Sequence, residues 1–230
     1  MDDITIYYEM HGVGPGPPLV LIGGLGADLS LLTPLTGWLA QRRRVLVFDN
    51  RGAGRTDRPD RPYSIPRMAL DTVGLMDALA IEQADVLGIS MGGRIALELV
   101  LAHPSRVRRL ILVSTSAASR GKVHISWPMR VLWSLQWIPG MHGKYPQPRY
   151  AHLRQREAAL GYNATARLGE IKHPTLILHG RRDRSLPLPM AERLHAGIAG
   201  SRLQVFRGGH MFCFLRERAA FLARVDEFLT

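Results

Sequence analysis

The chain has 230 residues, 46% of them hydrophobic and 21% charged, which is ordinary globular usage and excludes a largely disordered chain. Its 30 lysines and arginines against 19 acids give a formal charge of +11, and one cysteine, Cys213, excludes an internal disulfide and a CxxC metal or redox site. No apolar run reaches the roughly 18 residues that a membrane span needs, and Met1-Asp2-Asp3 lacks a secretory leader pattern, so a cytoplasmic protein with no membrane span is expected.

In chain order, strand-like and helix-like segments alternate, which predicts an α/β protein with a mostly parallel sheet under helices. Residues 4–9, rich in β-branched and aromatic side chains, read as an edge strand. Short apolar runs at 19–22 and 44–48 read as buried strands, the first stopped by Gly23-Gly24 and the second by Asp49-Asn50-Arg51-Gly52. A helix is expected over 67–79, from apolar residues such as Met68, Val73, Met76 and Leu79 at helical spacing. The strand 84–89 runs straight into Ser90, followed by a small-residue helix over 92–101. Strands follow at 109–113, 175–178 and 202–206, with helices at 189–198 and 216–229. The stretch between the fifth and sixth strands breaks the alternation; residues 117–170 are expected to form an inserted lid, and residues 1–116 and 171–230 the core.

The positive charge has a plain reading. Of the 30 basic residues only Lys122, Lys144 and Lys172 are lysine, which leaves 27 arginines. The basic clusters are scattered, with no interleaved aromatics or zinc-finger spacing, so no specific nucleic-acid partner is expected.

Gly88-Ile89-Ser90-Met91-Gly92 is a G-x-S-x-G pentapeptide between an apolar strand and a helix. Such a turn strains the serine backbone and lifts its hydroxyl off the sheet edge. Side chains at positions 88 and 92 would clash there, so both must be glycine. A serine hydroxyl needs an adjacent base to act as a nucleophile. Among nine histidines, His210 follows a strand and Gly208-Gly209, which places it at the same sheet edge as Ser90. His179, at another strand end, is its rival. The base needs an acid to orient it, and Asp183 follows the strand 175–178 at that edge, whereas Asp85 and Asp49 fit less well. Acyl chemistry also needs donors for a developing oxyanion. The amides of Leu25, in Gly23-Gly24-Leu25-Gly26, and of Met91 are the expected pair.

Together these residues resemble the α/β-hydrolase superfamily, over about residues 4–116 and 171–230. Gly88-Ile89-Ser90-Met91-Gly92-Gly93 resembles its nucleophile elbow. The loop Gly23–Gly26 stands where many members have His-Gly-x-Gly, with Gly23 in place of the histidine. Residues 49–56, Asp-Asn-Arg-Gly-Ala-Gly-Arg-Thr, resemble its D-x-R-G-x-G-x-S loop, and His179-Gly180 to Asp183 and Gly209-His210 its acid and base segments. The resemblance implies a twisted, mostly parallel sheet of about seven to eight strands with helices on both faces. It also implies a triad of Ser90, Asp183 and His210 that needs no metal or cofactor. The short lid is similar to those of small carboxylesterases, enol-lactonases and monoacylglycerol lipases. A small-molecule ester is therefore the expected substrate, of small or medium acyl size or a lactone, and the protein is expected to be a monomer or homodimer.

Gly24, Met211, Phe212 and three lid tryptophans, Trp127, Trp133 and Trp137, are the candidate pocket residues; the tryptophans fit equally a lid packed on its core. The fold and triad also serve C–C bond hydrolysis, acyl transfer and perhydrolysis, and a slow ligand-binding member would keep the same motifs. Cys213 reads as a buried thiol, not a nucleophile.

Overall fold

The computed structural model describes residues 4–119, 143–210 and 217–230. Seven strands are found among them: β1 Tyr8–His11, β2 Leu19–Ile22, β3 Val45–Phe48, β4 Ala84–Ile89, β5 Val107–Val113, β6 Thr175–Gly180 and β7 Arg202–Phe206. They form one sheet in the order β1-β3-β2-β4-β5-β6-β7. β1 runs antiparallel to β3, and every other pairing is parallel. The helices are α1 Thr33–Leu39, α2 Ile65–Ala78, α3 Met91–Ala102, α4 Arg149–Gly161, α5 Pro189–Gly197 and α6 Arg218–Leu229.

The apolar runs become strands buried on both faces because successive side chains point to opposite sides. Val20, Ile22, Leu46, Val86 and Leu112 pack on one side with α2 and α3 residues such as Met68 and Ile95. Their neighbours Leu19, Leu21, Val45, Leu87 and Ile111 pack on the other with Leu35 and Leu39 of α1 and Phe221 of α6. The sheet is thus covered on both faces, as the α/β reading expects. No helix among the described residues is long and apolar enough to cross a membrane.

Three elements differ from the sequence reading. The edge strand starts at Tyr8, later than expected, because its partner β3 ends at Phe48. Residues 5 and 7 bond instead to the following loop, with Thr5 N donating to Asp57 Oδ2 at 2.7 Å and Tyr7 N to Thr56 Oγ1 at 2.9 Å. The helix α1 went unread, since its seven residues include a proline, a glycine and two threonines. α4 went unread as well: its arginines mask a narrow buried face of Ala151, Gln155, Ala158 and Ala159.

Two buried arginines hold the loops around the site. Arg51 grips Asp71 of α2 through Nε at 2.7 Å and Nη2 at 2.5 Å. Arg94, on α3, has no ion pair among the described residues. It donates to Ser116 Oγ at 2.9 Å, to Ser119 Oγ at 3.0 Å and to the Ala159 carbonyl, and so ties α4 and the segment after β5 to α3. Burial of this cation pulls its pKa down to about 10.

The approach of α3 to β2 fixes the turn that carries Ser90. A Cβ on Gly92 would lie 2.2 Å from the Ile22 carbonyl oxygen and 2.5 Å from that of Gly23. Backbone cannot yield there as a flexible side chain would. Gly92→Ala is therefore expected to destabilise the fold by about 2–3 kcal/mol, seen as a fall in Tm of roughly 5–10 °C. A melting curve matching the parent protein would contradict this.

Candidate active site

Ser90 follows the last residue of β4 with φ 56° and ψ −115°, in the left-handed half of backbone space that non-glycine residues rarely occupy. The neighbours hold it there. Its N–H donates to the Val113 carbonyl at 2.9 Å, and its carbonyl accepts from Gly93 N at 3.0 Å and Thr115 Oγ1 at 2.6 Å.

The loops after β6 and β7 are joined by backbone bonds, Arg181 N to Phe206 O at 2.7 Å and Arg182 N to Gly208 O at 3.0 Å. This joint brings His210 between Asp183 and Ser90. His210 Nδ1 lies 2.7 Å from Asp183 Oδ2, and Nε2 lies 2.9 Å from Ser90 Oγ. A carboxylate only accepts, so Nδ1 carries the ring proton and Nε2 is left to accept from the serine hydroxyl. The Asp183 side chain is fully buried and that of His210 is 21% exposed. Asp183 Oδ1 also accepts from Ser185 N at 2.9 Å and Leu186 N at 2.8 Å, which fixes the carboxylate plane.

The rival histidine serves the acid loop instead. His179 is fully buried, and its Nε2 donates to the Leu186 carbonyl at 2.7 Å. Its Nδ1 has no hydrogen-bond partner among the described residues. Burial holds its pKa below the usual histidine value, since a second proton would sit unsolvated. The other acids weighed from sequence are engaged elsewhere. Asp85 pairs with Arg108, at 2.5 Å. Asp49 accepts from Leu29 N at 2.6 Å and Arg55 N at 2.8 Å, and burial pushes its pKa up.

The Gly23–Gly26 loop passes directly beside the serine. A Cβ on Gly24 would be 3.4 Å from Ser90 Cβ and 3.9 Å from its Oγ. The N–H groups of Leu25 and Met91 donate to no other group among the described residues. Met91 is the first residue of α3, where the helix leaves amides free and the dipole is positive.

Two braces were not foreseen from sequence. Gln155, wholly buried on α4, accepts from Gly26 N at 2.9 Å and donates to the Arg51 carbonyl at 2.7 Å. It locks the glycine loop to the Asp49 loop. The second is Thr115, whose Oγ1 holds the Ser90 carbonyl from the end of β5. Asn50, inside the quoted loop motif, adds a bond from Nδ2 to the Gly23 carbonyl at 3.0 Å. The candidate pocket residues Trp127, Trp133, Trp137, Met211 and Phe212 lie outside the described residues, as does Cys213.

The α/β hydrolase fold family matches residues 17–163. RutD of Azorhizobium caulinodans, provisionally named a carbamate hydrolase, is 32% identical over 91% of this chain and 89% of its own. The 2-hydroxymuconate semialdehyde hydrolase of Pseudomonas sp. strain CF600 is also 32% identical, over 96% of this chain and 89% of its own. The crystal structure of the enol-lactonase from Burkholderia xenovorans LB400 superposes with a TM-score of 0.84 at 26% identity, covering 97% of this chain and 96% of that one.

Gln155→Leu keeps the bulk but strands Gly26 N–H and the Arg51 carbonyl without partners, and is expected to destabilise the protein by about 2–4 kcal/mol in urea unfolding. Unchanged stability would contradict the brace. His179 gives a pH signature. Its folded pKa is depressed, so below about pH 6.5 the unfolded chain binds a proton that the folded one resists. Stability must then fall as pH drops from about 6.5, down to the folded pKa. His179→Gln, which keeps a donor for the Leu186 carbonyl but does not titrate, is expected to lose less stability between about pH 7 and pH 5. Parallel curves for the two proteins would refute this.

Proposed function

Because the chain belongs to the α/β-hydrolase family and its relatives are hydrolases, we propose that it is a serine hydrolase of carboxylic esters, acting on small or medium acyl esters or lactones through an acyl-enzyme. The observation that carries this reading is the hydrogen-bonded line from Ser90 Oγ through His210 to Asp183, 2.9 Å and 2.7 Å long.

In this mechanism His210 Nε2 takes the hydroxyl proton as Ser90 Oγ bonds to the substrate carbonyl carbon. The carbonyl π electrons move to oxygen, and the N–H groups of Leu25 and Met91 hold that oxyanion, aided by the positive end of α3. Collapse expels the alcohol oxygen, which takes the proton from His210. Water then gives a proton to His210 and its oxygen to the acyl carbon; the second tetrahedral species releases the acid and returns the proton to Ser90. Asp183 stays ionised and stabilises the imidazolium at each stage.

All three side chains come from one chain, so a monomer is sufficient for chemistry and a homodimer would repeat it. On this reading residues 117–170 serve as a lid, and Gly24, Trp127, Trp133, Trp137, Met211 and Phe212 are the residues proposed to bind the substrate. A second reading keeps the triad and changes the bond cleaved. It is favoured by the two sequence relatives, whose names specify a carbamate and a semialdehyde, not a carboxylic ester.

Ser90→Ala is expected to lower kcat on p-nitrophenyl acyl esters by about 10⁴- to 10⁶-fold without unfolding the protein. Parent-like turnover in that variant would overturn the reading. A screen of esters, lactones, carbamates and β-diketones decides between the two: esters or lactones preferred by kcat/KM support the first, and either other class supports the second.

A further inference from the structure

The Ser90 carbonyl accepts two hydrogen bonds. The one from Gly93 N, at 3.0 Å, closes the first turn after the serine. The other comes from a different strand end, where Thr115 Oγ1 donates at 2.6 Å. Thr115 is 1% exposed, and it sits in a socket made for it. A Cβ on Gly93 would lie 2.5 Å from Thr115 Cβ and Oγ1 and 2.6 Å from Cγ2. The residue before it, Ser114, has φ 45°, a conformation that is costly for a residue with a Cβ. The chain therefore accepts strain at the end of β5 at the point where Thr115 meets the elbow.

The peptide between Ser90 and Met91 is planar and trans, so its C=O and N–H point in opposite directions. A donor that fixes the carbonyl fixes the amide as well. We infer that Thr115 is a positioning residue for the reaction: by pinning the Ser90 carbonyl it aims the Met91 N–H at the place where the oxyanion forms. The bond also polarises the peptide, which strengthens the amide as a donor. The inference rests on the hydrolase reading above, and it assigns the aim of one oxyanion donor to a side chain that touches neither substrate nor triad side chain.

Thr115→Val keeps the branched shape in the socket and removes only the donor. It is expected to lower kcat on a p-nitrophenyl ester by about 10- to 100-fold, with KM changed less than about twofold. An arylboronic acid, which forms a tetrahedral adduct on serine, should bind more weakly by the same factor. Thr115→Ser, which keeps the hydroxyl and loses the methyl, should stay within about threefold of the parent kcat. Parent-like kcat in the valine variant, or a serine variant as impaired as the valine one, would overturn the proposal. If the valine variant does not fold, Thr115→Ala and Thr115→Ser replace it. Both lack the methyl and only one keeps the donor, so equal kcat values would overturn the proposal. Failure here is separate from failure of the hydrolase reading, which Ser90→Ala decides. If the parent protein cleaves no ester, the ratio of Ser90 phosphorylation rates by a p-nitrophenyl dialkyl phosphate carries the same comparison.

Discussion

A serine with φ near 56° is an unfavourable object, and the rest of the site depends on keeping it. The left-handed backbone is what projects the hydroxyl away from β4 toward the loops, while letting α3 begin at the next residue. Nothing intrinsic to the segment holds this state. It is imposed by bonds to Val113 and Thr115 on the neighbouring strand end, and by glycines where any Cβ would strike the Ile22 or Gly92 backbone. The strain is thus balanced by packing on three sides.

The same edge collects the other groups. β6 and β7 are parallel neighbours, and their exits are stitched by backbone bonds before either functional side chain appears. Asp183 is then fixed by two amides, and His210 bridges from it to Ser90. On the opposite side, Gln155 and Asn50 clamp the glycine loop whose Leu25 amide faces the crevice on the proposed reading. Because Gln155 sits on α4, that helix is bonded directly to the glycine loop. A shift of α4 would therefore reach the glycine loop beside Ser90 directly.

The sequence carried the parts of this that steric necessity writes into residue type. Gly88 and Gly92 are legible because no other residue fits, and strand 19–22 because the unbroken apolar run Leu-Val-Leu-Ile leaves few alternatives. Ser90, Asp183 and His210 were readable from their positions at strand ends. Thr115 and Gln155 were not, because an ordinary threonine or glutamine takes meaning only from a partner far away in the chain, 25 residues for Thr115 and 129 for Gln155. α4 was hidden because its buried face is alanine and glutamine, which give little hydrophobic periodicity. The edge strand was displaced for a related reason: the N–H groups of residues 5 and 7 donate to Asp57 and Thr56, in a loop whose shape no local pattern reveals.

On the proposed mechanism His210, held by Asp183, makes Ser90 the one acylated nucleophile. Treating the protein with a p-nitrophenyl dialkyl phosphate leaves a stable phosphoryl group on an activated serine, and peptide mass spectrometry locates it. The added mass is expected on Ser90 alone, and it should be lost when His210 is replaced by alanine. Modification of another residue with Ser90 untouched, or full labelling of Ser90 without His210, would contradict it.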